Sequence, residues 1–197
     1  MHWLYFSPDA PRLLEAAGFE YDSTWGYNDG IGYRAGTSQV FRLSGCTSLL
    51  ELPLSIMDSA LLFPDRMGLA ADAALDHCRP VLNNARRFGG TLVVNWHDRS
   101  LAPERLWDGI YRKLVDAIGG GHDVWFATGQ DAIDWFRWRR SIRFGEDGTV
   151  TACDHRQLKG RAAVPPAVIR VHRPSDDGEA RFEELCLSGG ESLAVAL

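Results

Sequence analysis

Two places in this 197-residue chain gather side chains suited to proton transfer. The first is Asn95-Trp96-His97-Asp98, where an apolar run delivers a His and an Asp at its end. An imidazole titrates near neutrality, and a neighbouring carboxylate can orient it and stabilise its cation. A strand-end His that only hydrogen-bonds a loop is the other reading. The second place is Tyr21-Asp22-Ser23-Thr24 and the polar loop after it, which carries Arg34 between Gly32 and Gly36. Asp22 is a candidate base or orienting group, or the cap of a turn through Ser23 and Thr24. Arg34 pairs a carboxylate in a cleft or lies solvated on the surface. Glu51 and Asp58 flank Pro53-Leu54-Ser55-Ile56-Met57, and either could answer Arg34 or be a plain loop carboxylate. His77 and Cys78 fall on a predicted helix and read as core; His122, His155 and His172 stand alone. No HExxH, HxH, HxxxH or paired-Cys spacing suits a metal. No GxGxxG or Walker loop cradles a phosphate, and Arg137-Trp138-Arg139-Arg140 reads as a basic helix end favoured by the macrodipole.

Strands must deliver these groups and helices must cover the strands. Thr91-Leu92-Val93-Val94-Asn95-Trp96 is short, apolar and β-branched, as buried parallel strands are. Phe19–Asp22 alternates, and Leu49–Leu54 is apolar with Pro53 near its end. Pro11 and Gly18 bracket a short helix. Met67–Phe88 is helical in pattern despite Pro80, and Pro103–Ile118 carries an amphipathic stripe. His2–Phe6 and Asp123–Ala127 read as further strands, and Thr128 with Asp131 as a capping box opening a helix through Trp138. Alternating strands and helices predict a parallel α/β domain over about residues 1–140. Beyond it, hairpin and strand patterns at 142–151, 167–172 and 180–187 predict a small antiparallel β appendage over 141–197.

Composition narrows the class of protein. The net charge of −5 argues against a partner that works through nucleic-acid phosphates, and 45% hydrophobic residues suit a soluble globular chain. No apolar run approaches a membrane span, and Met1–Phe6 lacks the features of a secretory signal, so the expected location is cytoplasmic. The four scattered cysteines, Cys46, Cys78, Cys153 and Cys186, read as reduced thiols.

Four blocks in order resemble the C-terminal half of a polysaccharide deacetylase, the NodB-homology or carbohydrate esterase 4 group. They are Leu14-Glu15-Ala16-Ala17-Gly18-Phe19-Glu20-Tyr21-Asp22-Ser23-Thr24, Gly32-Tyr33-Arg34-Ala35-Gly36-Thr37, Glu51–Asp58, and Gly89-Gly90 through Trp96-His97-Asp98. The resemblance implies a partial (β/α) barrel and hydrolysis of acetyl groups on a glycan. It gives His97 the role of general acid and sets Asp22 where the family has a supporting acidic segment; Asp98 and Arg34 stay catalytic candidates on the reading of the residues above. In that family a divalent metal, often zinc, polarises a water and the acetyl carbonyl. The family usually has a Leu where this chain has Asn95.

The same resemblance places the metal ligands and catalytic base in motifs upstream of the segment matching His2. The expectation is therefore an N-terminally truncated member that binds no metal by itself and is inactive alone. Its open sheet edge would invite a second chain or an oligomer. The alternative is a non-catalytic carbohydrate- or partner-binding protein, with Trp25, Tyr27 and Tyr33 in the aromatic loop and Trp96 beside His97 as the sugar-contacting set. A third reading pairs His97 and Asp98 with a Ser or Cys nucleophile, but no GxSxG elbow is present.

Overall fold

The computed structural model describes residues 2–120, 124–152, 165–173, 181–189 and 191–195. His122, Cys153, His155 and the turn at 176–178 lie outside them. The chain divides into two compact units, 1–124 and 125–197.

The first unit is built around parallel strand segments. Helix α1 (Ala10–Ala16) starts with Pro11 in its first turn and stops at Gly18, whose φ of 84° few side chains tolerate. Strand β1 (Tyr21–Asp22) runs parallel to β3 (Leu50–Glu51), with Asp22 opposite Glu51. Strand β2 (Phe41–Arg42) pairs with β3 from the other side, antiparallel. After Leu52-Pro53 the same segment continues as β4 (Leu54–Met57), which runs parallel to β5 (Val93–Asn95) and places Met57 opposite Asn95. Pro53, which has no N–H for a ladder, falls where the chain changes partner.

Strand β4 is buried along its whole length, so its four residues are Leu, Ser, Ile and Met rather than an alternating pattern. It leads directly into α2 (Asp58–Leu62). Helix α3 (Ala71–Phe88) buries Ala74, Cys78, Val81 and Leu82 on one face, while Pro80 is exposed on another. Helix α4 (Asp108–Gly119) adds Ile110 and Leu114 to the same core as Ile56 and Leu61. No helix among the described residues is long and apolar enough to cross a membrane.

The expected strand at His2–Phe6 is instead a single 3-10 turn, His2–Leu4, with Trp3 and Leu4 at φ 60° and 51°. That turn lets Leu4 pack against Leu54, Met57 and Ala60, and the Asn28 amide Nδ2 donates to the Trp3 carbonyl at 2.8 Å. Aromatic content alone suggests β structure there, but tertiary packing decides the backbone. Helix α4 also starts later than its apolar stripe suggests, because residues 98–107 form short turns.

Residues 124–128, where the units meet in sequence, form no strand, and in the second unit the Thr128–Asp131 capping box opens α5 (Gly129–Arg140). The helix expected to close the first domain therefore falls in the second unit. Strands β6 (Arg143–Phe144) and β7 (Thr149–Thr151) form a hairpin with Gly148 at φ 78°, and β10 (Ser192–Ala194) pairs with β7. Strands β8 (Ala167–Arg173) and β9 (Arg181–Leu187) form a second antiparallel ladder, whose Ile169 and Leu187 pack with Val150.

Candidate proton-transfer site

His97 follows β5, and Asp58 follows β4. Because the two strands are parallel neighbours in register, their ends bring the two side chains together. Asp58 Oδ1 lies 2.6 Å from the Nδ1 of His97, and Asp58 Oδ2 accepts the His97 main-chain N–H at 2.8 Å. The Ser59 N–H also donates to Asp58 Oδ1, at 2.5 Å. The carboxylate is fully buried, whereas the imidazole side chain is 46% exposed. With Nδ1 held, Nε2 is the ring nitrogen left for a ligand.

Asp98 takes no part in this pair. Its carboxylate accepts the Arg99 N–H at 2.7 Å and opens the 3-10 turn Asp98–Ser100, while Asp98 itself is exposed. Consecutive residues in extended chain point to opposite sides, so Asp98 is badly placed to orient His97. Trp96 shows the same alternation in the other direction: its ring stacks on Tyr111, 5.4 Å between centroids, and packs against the main core.

Asp22 accepts the Thr24 hydroxyl at 2.8 Å, the bond of a local turn, and Thr24 is buried. Across the β1–β3 register from Asp22 sits Glu51, fully shut off from solvent. Glu51 Oε1 accepts the Trp25 N–H at 2.8 Å, but Oε2 has no hydrogen-bond partner. Burial pushes the Glu51 carboxyl up to about 8; the Trp25 N–H opposes this and the Asp22 charge adds to it. Arg34 answers neither Glu51 nor Asp58. Its Nη1 donates to the Gly26 carbonyl at 3.1 Å, and it makes no ion pair among the described residues.

The aromatic loop residues separate. Trp25 stands edge-on between Phe6 and Phe41 and packs against Leu43, Cys46 and Leu49. Tyr33 is half-buried against the main core, and burial raises its phenol pKa. Tyr27 is exposed. Beyond Trp107 lies an apolar hollow of about 420 Å³, bounded by Leu62, Leu69, Leu106, Ile110 and Lys113 among others.

Sequence adjacency conceals Asp58 as the partner of His97. The signal that finds it is a pair of largely apolar runs, Leu54–Met57 ending at Asp58 and Leu92–Trp96 ending at His97. Ser59, Ser100, Arg66 and Arg105 also surround the pair, and nothing in their local sequence marks them.

No family model, curated protein or solved structure matches the chain. The resemblance drawn from the four blocks implies a divalent metal. Among the described residues no three His, Cys, Asp or Glu side chains come together to hold one, and His97 commits Nδ1 to a carboxylate. The described donor set does not fit that metal.

Proposed function

We propose that the chain carries the proton-transfer side of a polysaccharide deacetylase-type site for acetyl groups of a glycan, set in a partial (β/α) barrel and inactive by itself. The single observation that supports this reading is the Asp58–His97 pair, a buried carboxylate holding one ring nitrogen of a half-exposed imidazole. In hydrolysis of an acetamide, water oxygen bonds to the carbonyl carbon and the C–N bond breaks. His97 Nε2–H supplies the proton to the departing nitrogen, the proton lost by the attacking water replaces it on Nε2, and Asp58 fixes the ring orientation and stabilises its cation. Asp22, Arg34 and Asp98 support the local turns rather than the ring.

The test is NMR of the His97 imidazole during titration with N-acetylchitotetraose, with zinc and again with chelator. The ring resonances are expected to shift saturably. By itself the chain is expected to release no acetate, with zinc or without it. A His97 ring indifferent to the sugar, or chelator-sensitive acetate release by the chain alone, overturns the proposal.

A further inference from the structure

Beside the Asp58–His97 pair, aromatic rings and guanidinium groups alternate. Arg66 Cζ lies 5.9 Å from the centre of the Trp3 ring and 5.5 Å from that of Phe63. Arg105 Cζ lies 4.8 Å from the Phe63 centroid and 5.3 Å from that of Trp107. Phe63 and Trp107 are themselves 5.6 Å apart, centre to centre. The order is thus Trp3, Arg66, Phe63, Arg105, Trp107.

Each arginine is tied to one member of the pair through a serine. Arg66 Nη1 donates to Ser59 Oγ at 3.3 Å and to the Asn28 carbonyl at 2.7 Å, and Ser59 N–H holds Asp58. Arg105 Nη1 donates to the buried Ser100 Oγ at 3.2 Å, and Ser100 N–H donates to the His97 carbonyl at 3.0 Å. Neither arginine forms an ion pair among the described residues. A guanidinium carries five N–H donors, and these contacts use only Nη1 on each. Two half-buried cations therefore keep donors to spare, each one serine away from the Asp58–His97 pair. The non-glycine residues with positive φ among the described residues are Trp3, Leu4 and Leu106. Trp3 ends this row, Leu4 follows it in the chain, and Leu106 joins Arg105 to Trp107. Strain of this kind is retained where surrounding structure over-determines it, and it clusters at ligand sites.

We infer that the ligand bound at His97 is an acidic glycan, whose oxyanion groups are gripped by Arg66 and Arg105. Contact with Phe63 holds each guanidinium in place, and the N–H donors that these contacts leave over suit a carboxylate or phosphate oxygen. This rests on the deacetylase-type reading only for where the acetyl group lies; the anion grip stands on the arginines.

The experiment compares three probes by calorimetry at low and high salt: O-acetylated oligogalacturonate, N-acetylglucosamine 6-phosphate and neutral N-acetylchitotetraose. His97 ring shifts are followed in parallel. At least one acidic probe is expected to bind about tenfold or more tightly than the neutral one at low salt. Which acidic probe does so separates a uronate carboxylate from a phosphate. Arg66→Gln with Arg105→Gln is expected to abolish that preference. Arg105→Lys, which keeps the charge but not the planar fork, is expected to lose part of it. Acidic probes that bind no tighter than the neutral one, or a preference that survives the double substitution in a folded chain, overturn the inference. An acidic preference that leaves the His97 ring unmoved keeps the anion grip and instead sinks the deacetylase-type reading.

Discussion

Glu51 and Asp58 end consecutive strand segments, and both are shut off from solvent, yet the protein equips them differently. Three N–H groups are aimed at the oxygens of Asp58: two from the main chain and one from the His97 ring when Nδ1 carries the proton. Glu51 receives the Trp25 N–H on one oxygen and nothing on the other, with Asp22 opposite it across the register. Burial makes a carboxylate useful only where donors meet it. At the end of β4 they do, and the group organises a histidine. At the end of β3 they do not, and the group is driven toward its neutral form.

The largest way to break this contrast is at Asp58. Asp58→Ala leaves two main-chain N–H groups and an imidazole without their acceptor, and should cost about 4 kcal/mol in urea unfolding. Next comes Glu51→Gln, which keeps an acceptor for Trp25 but removes the ionisable proton. The raised carboxyl, at about 8, is neutral in the folded chain while its unfolded counterpart ionises near 4.5. Wild-type stability should therefore fall as pH rises from about 4.5 to 8 and level off above that. Glu51→Gln should be free of this fall and more stable by a few kcal/mol at pH 8–9, on the order of the shift converted to free energy. Melting temperatures of both chains across that window check it; parallel pH profiles would contradict it.

A smaller effect is expected where the loop after β1 crosses β4. A Cβ on Gly26 would sit 2.8 Å from Leu54 Cδ2 and 2.9 Å from its Cβ, so Gly26→Ala should cost about 2 kcal/mol through overpacking. The smallest effect sharpens the comparison with a third carboxylate, one at the surface. Glu15 Oε1 accepts the N–H groups of Thr47, Ser48 and Leu49 and both hydroxyls of Thr47 and Ser48. The main-chain N–H groups of Ser48 and Leu49, with the Ser48 hydroxyl, hold its carboxyl down at about 2. Its contribution is complete above about 4.5 and is lost as pH falls toward 2, the opposite sign to Glu51. Glu15→Gln should lower the melting temperature at pH 7 and match wild type near pH 2.

How much of this could be read from residues alone depends on whether the cause is local. The turn at Gly18, the Thr128–Asp131 capping box and the hairpin at Gly148 follow from dihedral freedom and short-range bonds, and each is found where the sequence places it. The strand leading to His97 is likewise visible as an apolar run. Its partner is not, because Asp58 reaches His97 through the pairing of two strands far apart in the chain, while Asp98 merely stands next to it. Trp25 illustrates the same limit from the other side. A Trp in a polar loop suggests a sugar platform, but Phe6 and Phe41, from distant segments, enclose it. The left-handed turn at Trp3–Leu4 and the alternation of Arg66 and Arg105 with three rings depend wholly on tertiary placement.

One carboxylate takes hold of both the main chain and the ring of His97. The main chain at His97 is therefore held by the same buried group as the ring. Displacing that main chain would mean lifting the turn that follows it, including the buried Ser100, off the carboxylate. An imidazole mounted in this way is oriented before any ligand arrives, and the His97 amide should exchange with solvent only when that whole corner opens.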